Sequence, residues 1–528
     1  MKKITLFVAA LISAAQAFSA TITVPGDYGT IKAAITAAAS GDMIEVGAGT
    51  FIEKNITFPT ISTVITPKSI TIKGAGISQT TIQAYATPNN IPTSSSSVFN
   101  LDGFYSSPIT VTLQDMTIEN GFNSSNGGGI RVTNTGTVAP TLNFTNLKIA
   151  NNVGVTGGGI FISGPASTII TGCNLTGNTA SSTTAGNGGG IYISPGTNKL
   201  LSATIKQSTI SLNTSGYLGG GIMVQCAGDG TNGGQLDHSL ILENTTIYKN
   251  SCITALKSGG GIEFRQAGSS SVLCSHTVNL NHCTIVGNTT NGGLGGDGVC
   301  FENNYNVTLV MNNSIIMGNS GSVVNTAGTA GANTSYPSQI GIFSSSQAKL
   351  INGGVNNSIF GIINGGTWGT GTNNTVSTPS TTGALDMNTI LTNLAFPTLD
   401  ALALSSDATP VLKIGVSSTA KDYVVTDAAP LTLDQLGITR NGAADAGAYE
   451  YPADVATALV STISNQSMIV TKNGCISKAK GTLKIYTFNG QLLNTLKVVD
   501  GQFINLPTGT YLLRLISEKG TCVEKLSL

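Results

Sequence analysis

A chain of 528 residues with 25 basic and 25 acidic side chains is neutral, and only 9% of it is charged, so it carries no electrostatic footprint for nucleic acid. Glycine reaches 66 residues while hydrophobic residues hold at 40%, which excludes disorder and predicts many tight turns between short buried strands. Lys2 and Lys3, an apolar run from Ile4 to Ile12 and small residues ending in Ala15-Gln16-Ala17 have the layout of a secretory signal peptide. Residues 1–20 are therefore expected to be removed and the mature chain to be secreted, extracellular or held at an outer-membrane surface. The run is too short to span a bilayer as a retained anchor.

Thr21 to Val24 and Met43 to Val46 read as strands, and between them Thr30 to Ser40 places Ile31, Ala34, Ile35 and Ala38 on one helical face. Such a helix would cover the open end of a strand stack, an edge that otherwise templates aggregation. Beyond this point the chain is repetitive. Gly-Gly-Gly-Ile ends at Ile130, Ile160, Ile191, Ile222 and Ile262, with a degenerate copy before Val299, in steps of 30, 31, 31, 40 and 37 residues. A second pattern sets two apolar residues five apart: Leu113/Ile118, Phe144/Ile149, Ile170/Leu175, Ile205/Ile210, Leu242/Ile247, Leu280/Ile285 and Met311/Ile316, with weaker copies at Val46/Phe51, Ile72/Ile77 and Val355/Phe360. A fixed inner spacing within a variable period describes coils of short strands with extensible connections. The predicted fold is all-β: a right-handed parallel β-helix of about ten coils and three strands per turn, roughly 45 to 50 Å long at about 4.8 Å per coil. Between the paired apolar positions lie Asp115, Asn146, Gly172, Gln207, Asn244, His282 and Asn313, where stacked amides are expected to bond along the axis.

The same register places the cysteines. Cys173 and Cys283 share a slot three turns apart, about 14 Å, beyond the roughly 7 Å a disulfide tolerates. Cys300 follows the inward Val299 and points outward, and Cys226, Cys252 and Cys274 lie in connections the pattern does not place. No disulfide framework is expected in the rod, and Cys475 and Cys522 are the candidate partners in the terminal module. The Asn-x-Ser/Thr sequons at Asn174, Asn213 and Asn244 read as turn composition.

Chemistry is sparse. The acids best placed for catalysis are Asp297, Glu302 and Glu263, with Arg265 nearby, on the Gly-Gly-Gly-Ile strand and its flanks. They serve a polysaccharide enzyme only if they converge in a groove. His238, His276 and His282 share no metal-ligand spacing, and Asp229 and Asp237, in the insertion between Ile222 and Leu242, leave room for loose calcium binding but belong to no calcium motif, so no metal or other cofactor is assigned. The outward row after the glycine triplets runs Arg131, Phe161, Tyr192, Met223, Glu263 and Cys300. Arg131, Phe161, Tyr192 and Met223 are candidate glycan contacts, because aromatic faces suit sugar rings; neighbouring loops could equally cover them.

Four resemblances add to this reading. Pro25-Gly26-Asp27-Tyr28-Gly29-Thr30-Ile31, with Gly41-Asp42-Met43-Ile44-Glu45-Val46 and Gly49-Thr50-Phe51, resembles the N-terminal cap of the pectin-lyase-like superfamily. The Gly-Gly-Gly-Ile repeats resemble polymorphic outer-membrane-protein surface β-helices. The Gly-His-Gly and Arg-Ile-Lys marks of polygalacturonases and the paired aspartates of pectin methylesterases are absent. Asp434-Gln435-Leu436-Gly437 to Arg440, then Asp445-Ala446-Gly447-Ala448-Tyr449-Glu450, resembles the closing segment of choice-of-anchor surface proteins, its charges reading as ion pairs that pin a terminal segment. From Gln466 the chain resembles the type A C-terminal sorting domain of the type IX secretion system of Bacteroidetes, carried by Tyr486, Asn489 and Gly490, then Gly509, Tyr511 and Lys525. That likeness implies a small β-sandwich handled by the type IX secretion machinery, with the cargo released or attached to surface lipopolysaccharide.

The expected division is a signal peptide (1–20), a β-helix (21–375), its closing region (376–452), a linker (453–465) and a sorting domain (466–528). The leading functional expectation is a monomeric, non-enzymatic adhesin or rod that binds extracellular glycans. The alternative is a secreted lyase or hydrolase of acidic polysaccharide.

Overall fold

In the computed structural model the strands stack coil upon coil in parallel, and the structure describes residues 19–58, 68–86, 95–103, 107–195, 201–227, 236–255, 257–267, 274–291, 296–302, 306–321, 339–343, 349–350, 355–360, 363–364, 374–376, 410–414, 418–427, 430–440, 442–451, 468–471, 474–487, 491–507, 509–517 and 520–527. Residues 1–18 of the expected signal peptide and the whole expected linker lie outside them, as do Asn489 and Gly490. Two compact units divide after Tyr451. The first is a right-handed parallel β-helix.

Its register follows the five-apart pattern. One inward column runs Ile44, Ile72, Leu113, Phe144, Ile170, Ile205, Leu242, Leu280 and Met311, each partnered with the next, and none is more than 1% exposed. A slip of one residue would turn a strand's apolar side chains to water, so burial fixes the register. Two early copies are corrected. Ile44 rather than Val46 begins the first column, and Ile82 rather than Ile77 holds the second slot, between Phe51 and Ile118. In the second copy the cause is an inserted turn at Gly76 to Gln79, closed by Gln79 and Thr80 amides donating to the Gly76 carbonyl.

A second correction concerns strand number. A coil such as 201–227 holds four strands, Leu201–Lys206, Thr209–Ser211, Thr214–Ser215 and Ile222–Ala227. Both members of a five-apart pair lie in a 21-stranded sheet, the glycine-triplet strands in a ten-stranded sheet, and two-residue strands like Thr214–Ser215 in a seven-stranded sheet. Two residues are too few to show alternation, which hid the extra strand. The glycine triplets that come after it turn the chain where coils nearly touch: a Cβ at Gly159 would sit 2.6 Å from the Gly190 carbonyl oxygen of the next coil.

The expected column is bonded along the axis only in part, Asn146 with Asp115 at 3.1 Å, Asn313 with His282 at 3.1 Å and Asn357 with Asn313 at 3.2 Å. The column Asp115 to Asn313 has left-handed backbone throughout, φ from 47 to 64°, so its Asn, Asp and Gly content answers the turn. The continuous ladder stands instead three residues after the second apolar position. Asn152 Nδ2 donates to Asn178 Oδ1 at 3.0 Å, and the pattern repeats through Asn213, Asn250, Asn288, Asn319 and Gln339 at 2.8 to 2.9 Å. Each asparagine is at most 1% exposed, and each donates a further bond to a carbonyl of the preceding coil, as Asn213 Nδ2 does to Leu175 at 3.0 Å. Full satisfaction is what lets these polar groups be buried.

The stack is sealed at its start by the helix Ile31–Ala37, N-capped by Thr30. Its first amides, Ile31 and Lys32, donate to the Glu53 carboxylate at 2.9 Å each. Further along, the described residues between 410 and 451 lie on the outward face of the later coils, where Tyr248, Val286, Ile315 and Met317 meet Val411, Leu412, Ile414 and Tyr449. Arg440 holds this segment, bonding Glu450 at 2.9 Å, Asn244 at 2.8 Å and the Gly447 carbonyl at 3.0 Å.

The second unit comprises a three-stranded and a four-stranded antiparallel sheet around Cys475, Leu483, Ile485, Val498, Ile504, Leu513 and Leu515. Strands Gly481–Thr487 and Leu492–Val498 pair as an antiparallel hairpin. Two cysteine expectations change. Cys475 is free, because its strand neighbours are Val470 and Ile504 while Cys522 faces Leu515. In the rod, Cys173 and Cys283 are free and buried, but Cys226 is disulfide-bonded. Its strand extends to Ala227, carrying Cys226 past the alternating core residues to the start of a connection. The partner lies outside the described side chains.

Candidate functional site

The outward row of the ten-stranded sheet is continuous in register from Arg131 through Phe161, Tyr192, Met223 and Glu263 to Cys300. It faces away from the core yet is roofed. Phe161 and Tyr192 stack with centroids 5.1 Å apart and planes at 6°, and with Leu218 and Met223 they form a satellite cluster against Tyr217. Phe161 keeps 7% of its surface and Tyr192 8%, while Cys300 is fully buried. Of the two readings the sequence leaves open, covering by neighbouring loops describes this geometry. Arg131, at the head of the row, is paired with Asp102 at 2.8 Å.

The candidate acids are only partly brought together. Glu263 lies beneath the corner of its own coil, where a Cβ on Gly259 would stand 2.5 Å from Oε2. Burial first, and the nearby Glu302 second, push its carboxyl well above the usual range. Glu302 is half-buried and pairs with Arg265 at 3.8 Å across adjacent strands. Asp297 stands at the corner before Gly298, 1% exposed, accepting a 2.5 Å bond from the Thr290 hydroxyl. Among the described residues its Oδ2 has no hydrogen-bond partner, and burial pushes its pKa to about 6.

Asp297 gives a pH prediction. Its folded pKa is raised, so the native state holds the proton more tightly than the unfolded chain, whose value is 3.8. The associated stability is fully present below pH 3.8 and is lost as pH rises through about 6. The loss is on the order of 3 kcal/mol. Asp297→Asn should be more stable than the wild type at pH 8 and close to it at pH 4. Denaturant melts at both pH values check this, and an equal effect at both would contradict the assignment.

Tyr217 and Lys257, which the sequence reading missed, complete the accessible chemistry. Lys257 Nζ donates to the Tyr217 hydroxyl at 3.0 Å and lies 4.2 Å from its ring centroid. The Arg265 guanidinium lies 6.0 Å from the same ring. The Lys257 bond, with help from Arg265, lowers the phenol's pKa. Both missed residues stand two positions before a glycine triplet, at Gly219 and Gly259, so adjacent coils bring them side by side. Burial raises the pKa of the Glu263 carboxyl, and Arg265 pairs with Glu302, the half-buried carboxylate of the group. Such an arrangement offers guanidinium, ammonium and phenol donors to a carboxylate or sulfate.

The histidines serve packing. His238 and His276 are register neighbours with rings 5.4 Å apart, and His282 contacts Asp427 at 3.3 Å. Asp229 and the Asp237 side chain lie outside the described residues. Among the described residues no group of three or more His, Cys, Asp or Glu side chains is arranged to hold a metal.

No family model matches the chain, and no curated protein matches it. Among solved structures, the crystal structure of pectate lyase Pel9A aligns over 82% of this chain and 97% of its own length, at 14% identity and a TM-score of 0.41.

Proposed function

We propose that this chain is a secreted or cell-surface β-helical rod that binds extracellular glycans, with anionic sugars held at Tyr217, Lys257 and Arg265. The observation that supports this is the contrast along one strand row. The carboxyls of Glu263 and Asp297 are buried and their pKa values raised, whereas Lys257 and Arg265, the latter paired with Glu302, are partly exposed around a phenol. That is a recognition surface for anions rather than a carboxylate pair flanking a glycosidic bond. Lys257→Ala and Arg265→Ala should each weaken binding to polygalacturonate or a sulfated polysaccharide about tenfold, the effect of one lost charge-assisted contact. Binding should also fall steeply with salt. Calorimetric titrations giving wild-type affinity in both variants would sink the assignment.

A second reading, lyase action on acidic polysaccharide, is favoured by Tyr217 itself. A phenol of lowered pKa flanked by two cations is a fitting base for removing a proton beside a uronate carboxylate. Incubation with polygalacturonate, with and without calcium, decides this. Appearance of the unsaturated-uronate absorbance in wild type and its loss in Tyr217→Phe would establish the enzyme; silence in wild type leaves the binding rod.

For the terminal module we propose type IX export, with the mature protein released or held on surface lipopolysaccharide. Gly509, Tyr511 and Tyr486 lie in or beside its antiparallel strands, whereas the Lys525 side chain lies outside the described residues. Exposed Leu492, Leu493, Phe503 and Ile516 supply apolar surface for machinery to grip. Deleting residues 466–528 should retain the rod in the periplasm without unfolding it. Fractionation that finds normal amounts outside the cell would refute the sorting role.

A further inference from the structure

The left-handed corner column is covered along part of its length and open along the rest. The closing segment lies on it from Gln207 onward. Gln207 donates to the Asp434 carbonyl at 3.2 Å, Asn244 to the Leu433 carbonyl at 2.7 Å and Asn357 to the Thr426 carbonyl at 2.6 Å. Ahead of that cover, a cavity of about 460 Å³ has Asp115, Asn146, Gly172 and Gln207 as its floor. The inserted turn Gly76 to Gln79 walls one end, and the tip Gln435 to Gly437 the other. It continues past Gly76 and Asp115 into a second cavity of about 520 Å³.

The floor is notched at Gly172. Its φ of 64° is the column's usual conformation, which Asp115, Asn146 and Gln207 adopt at 59, 49 and 47°, so the turn alone does not demand glycine. Without a side chain there, the exposed Asn146 amide leans into the gap: a Cβ would meet its Oδ1 at 2.5 Å. Asn146 Nδ2 is engaged with Asp115 Oδ1 at 3.1 Å, which turns the amide oxygen toward the notch. Later in the column there is no gap, and Asn357 Nδ2 sits directly on Asn313 Oδ1 at 3.2 Å.

We infer that this groove is a second glycan site, on a different face from Tyr217, Lys257 and Arg265, and that it takes a neutral saccharide lying along the rod axis. The lining fits polyols. Gln79, Asp115 and Asn146 present planar groups able to bond neighbouring hydroxyls, while Ile77 and Leu436 supply apolar surface at the two ends. Asp115 is the one charged residue among the described residues lining this cavity, and its carboxylate accepts hydroxyl donors and repels uronates and sulfates. The floor rises one coil at a time by about 4.8 Å, close to the length of a pyranose unit. An extended peptide would want side-chain pockets, and the amide that could take its carbonyls, Gln207, already holds Asp434.

Calorimetry of the full mature chain with α- and β-linked tetrasaccharides of glucose and of mannose tests the site. Wild type should bind at least one of them. Gly172→Asn, which refills the column with a residue at home in its backbone conformation, should weaken that binding at least about tenfold without lowering the melting temperature. Asn146→Ala should weaken it similarly, whereas Lys257→Ala should leave it unchanged and lose only the anionic ligand. Absence of neutral-sugar binding in wild type overturns the inference, as does undiminished binding in folded Gly172→Asn and Asn146→Ala proteins. Neither result bears on the cationic cluster.

Discussion

Ile205→Asp is expected to abolish cooperative folding of the rod. Ile205 is fully buried and sits in register between Ile170 and Leu242 in the middle of the inward column. The substitution removes packing worth about 2 to 5 kcal/mol and buries a carboxylate whose desolvation costs several more. A domain's whole stability is commonly about 5 to 15 kcal/mol. Because each coil pairs only with its neighbours, the break also separates the coils before it from those after it. Far-ultraviolet circular dichroism and thermal melts read the effect, with Ile205→Val as a control expected to cost about 1 kcal/mol. A wild-type melt in the aspartate variant would disprove the register.

Arg440→Ala should be the most damaging change in the closing segment. Both members of the Arg440–Glu450 pair are 3% exposed, and Glu450 Oε2 also accepts the Asp445 amide at 2.9 Å. Removing the cation strands a buried carboxylate beside Asp434 and Asp445, a loss of about 3 to 5 kcal/mol. The damage should be local. Residues 410–451 should exchange amide hydrogens faster and become protease-sensitive, uncovering Tyr248, Val286 and Met317, while coils 110–195 stay protected. Arg440→Ala with Glu450→Ala should recover part of the loss, since no uncompensated charge then remains. Unchanged exchange in 410–451 would show that the apolar contacts alone hold the segment.

The inward columns were legible because their spacing is fixed inside each coil and their side chains are all apolar. Other features were written as plainly but in a different alphabet. An asparagine stands three residues after the second apolar position at Asn152, Asn178, Asn213, Asn250, Asn288 and Asn319, yet polar residues in a Gly- and Ser-rich stretch look like turn filling. The closing segment left a trace too. Outward positions that carry Lys148 and Asn174 in early coils carry Thr209, Thr246, Thr284 and Ile315 later, because those faces are covered. The accessible cluster was harder. Tyr217 and Lys257 are 40 residues apart in the chain, and only the coil length around them makes them neighbours. Acidity pointed to Glu263 and Asp297, and acidity alone cannot say which carboxyl is buried.

The asparagine ladder bears on how such a chain changes length over evolutionary time. Every rung makes the same two connections, one to the rung ahead and one to the coil behind, so duplicating or deleting a whole coil recreates every junction. Gaining or losing a fraction of a coil leaves a buried amide facing a hydrocarbon. The ends differ from the middle: the Gly121 amide donates to Asn152 Oδ1 at 2.9 Å, and Gln339 Nε2 folds back onto the Asn319 carbonyl at 2.8 Å. Natural variants of this rod should differ by integral coils inserted within the ladder.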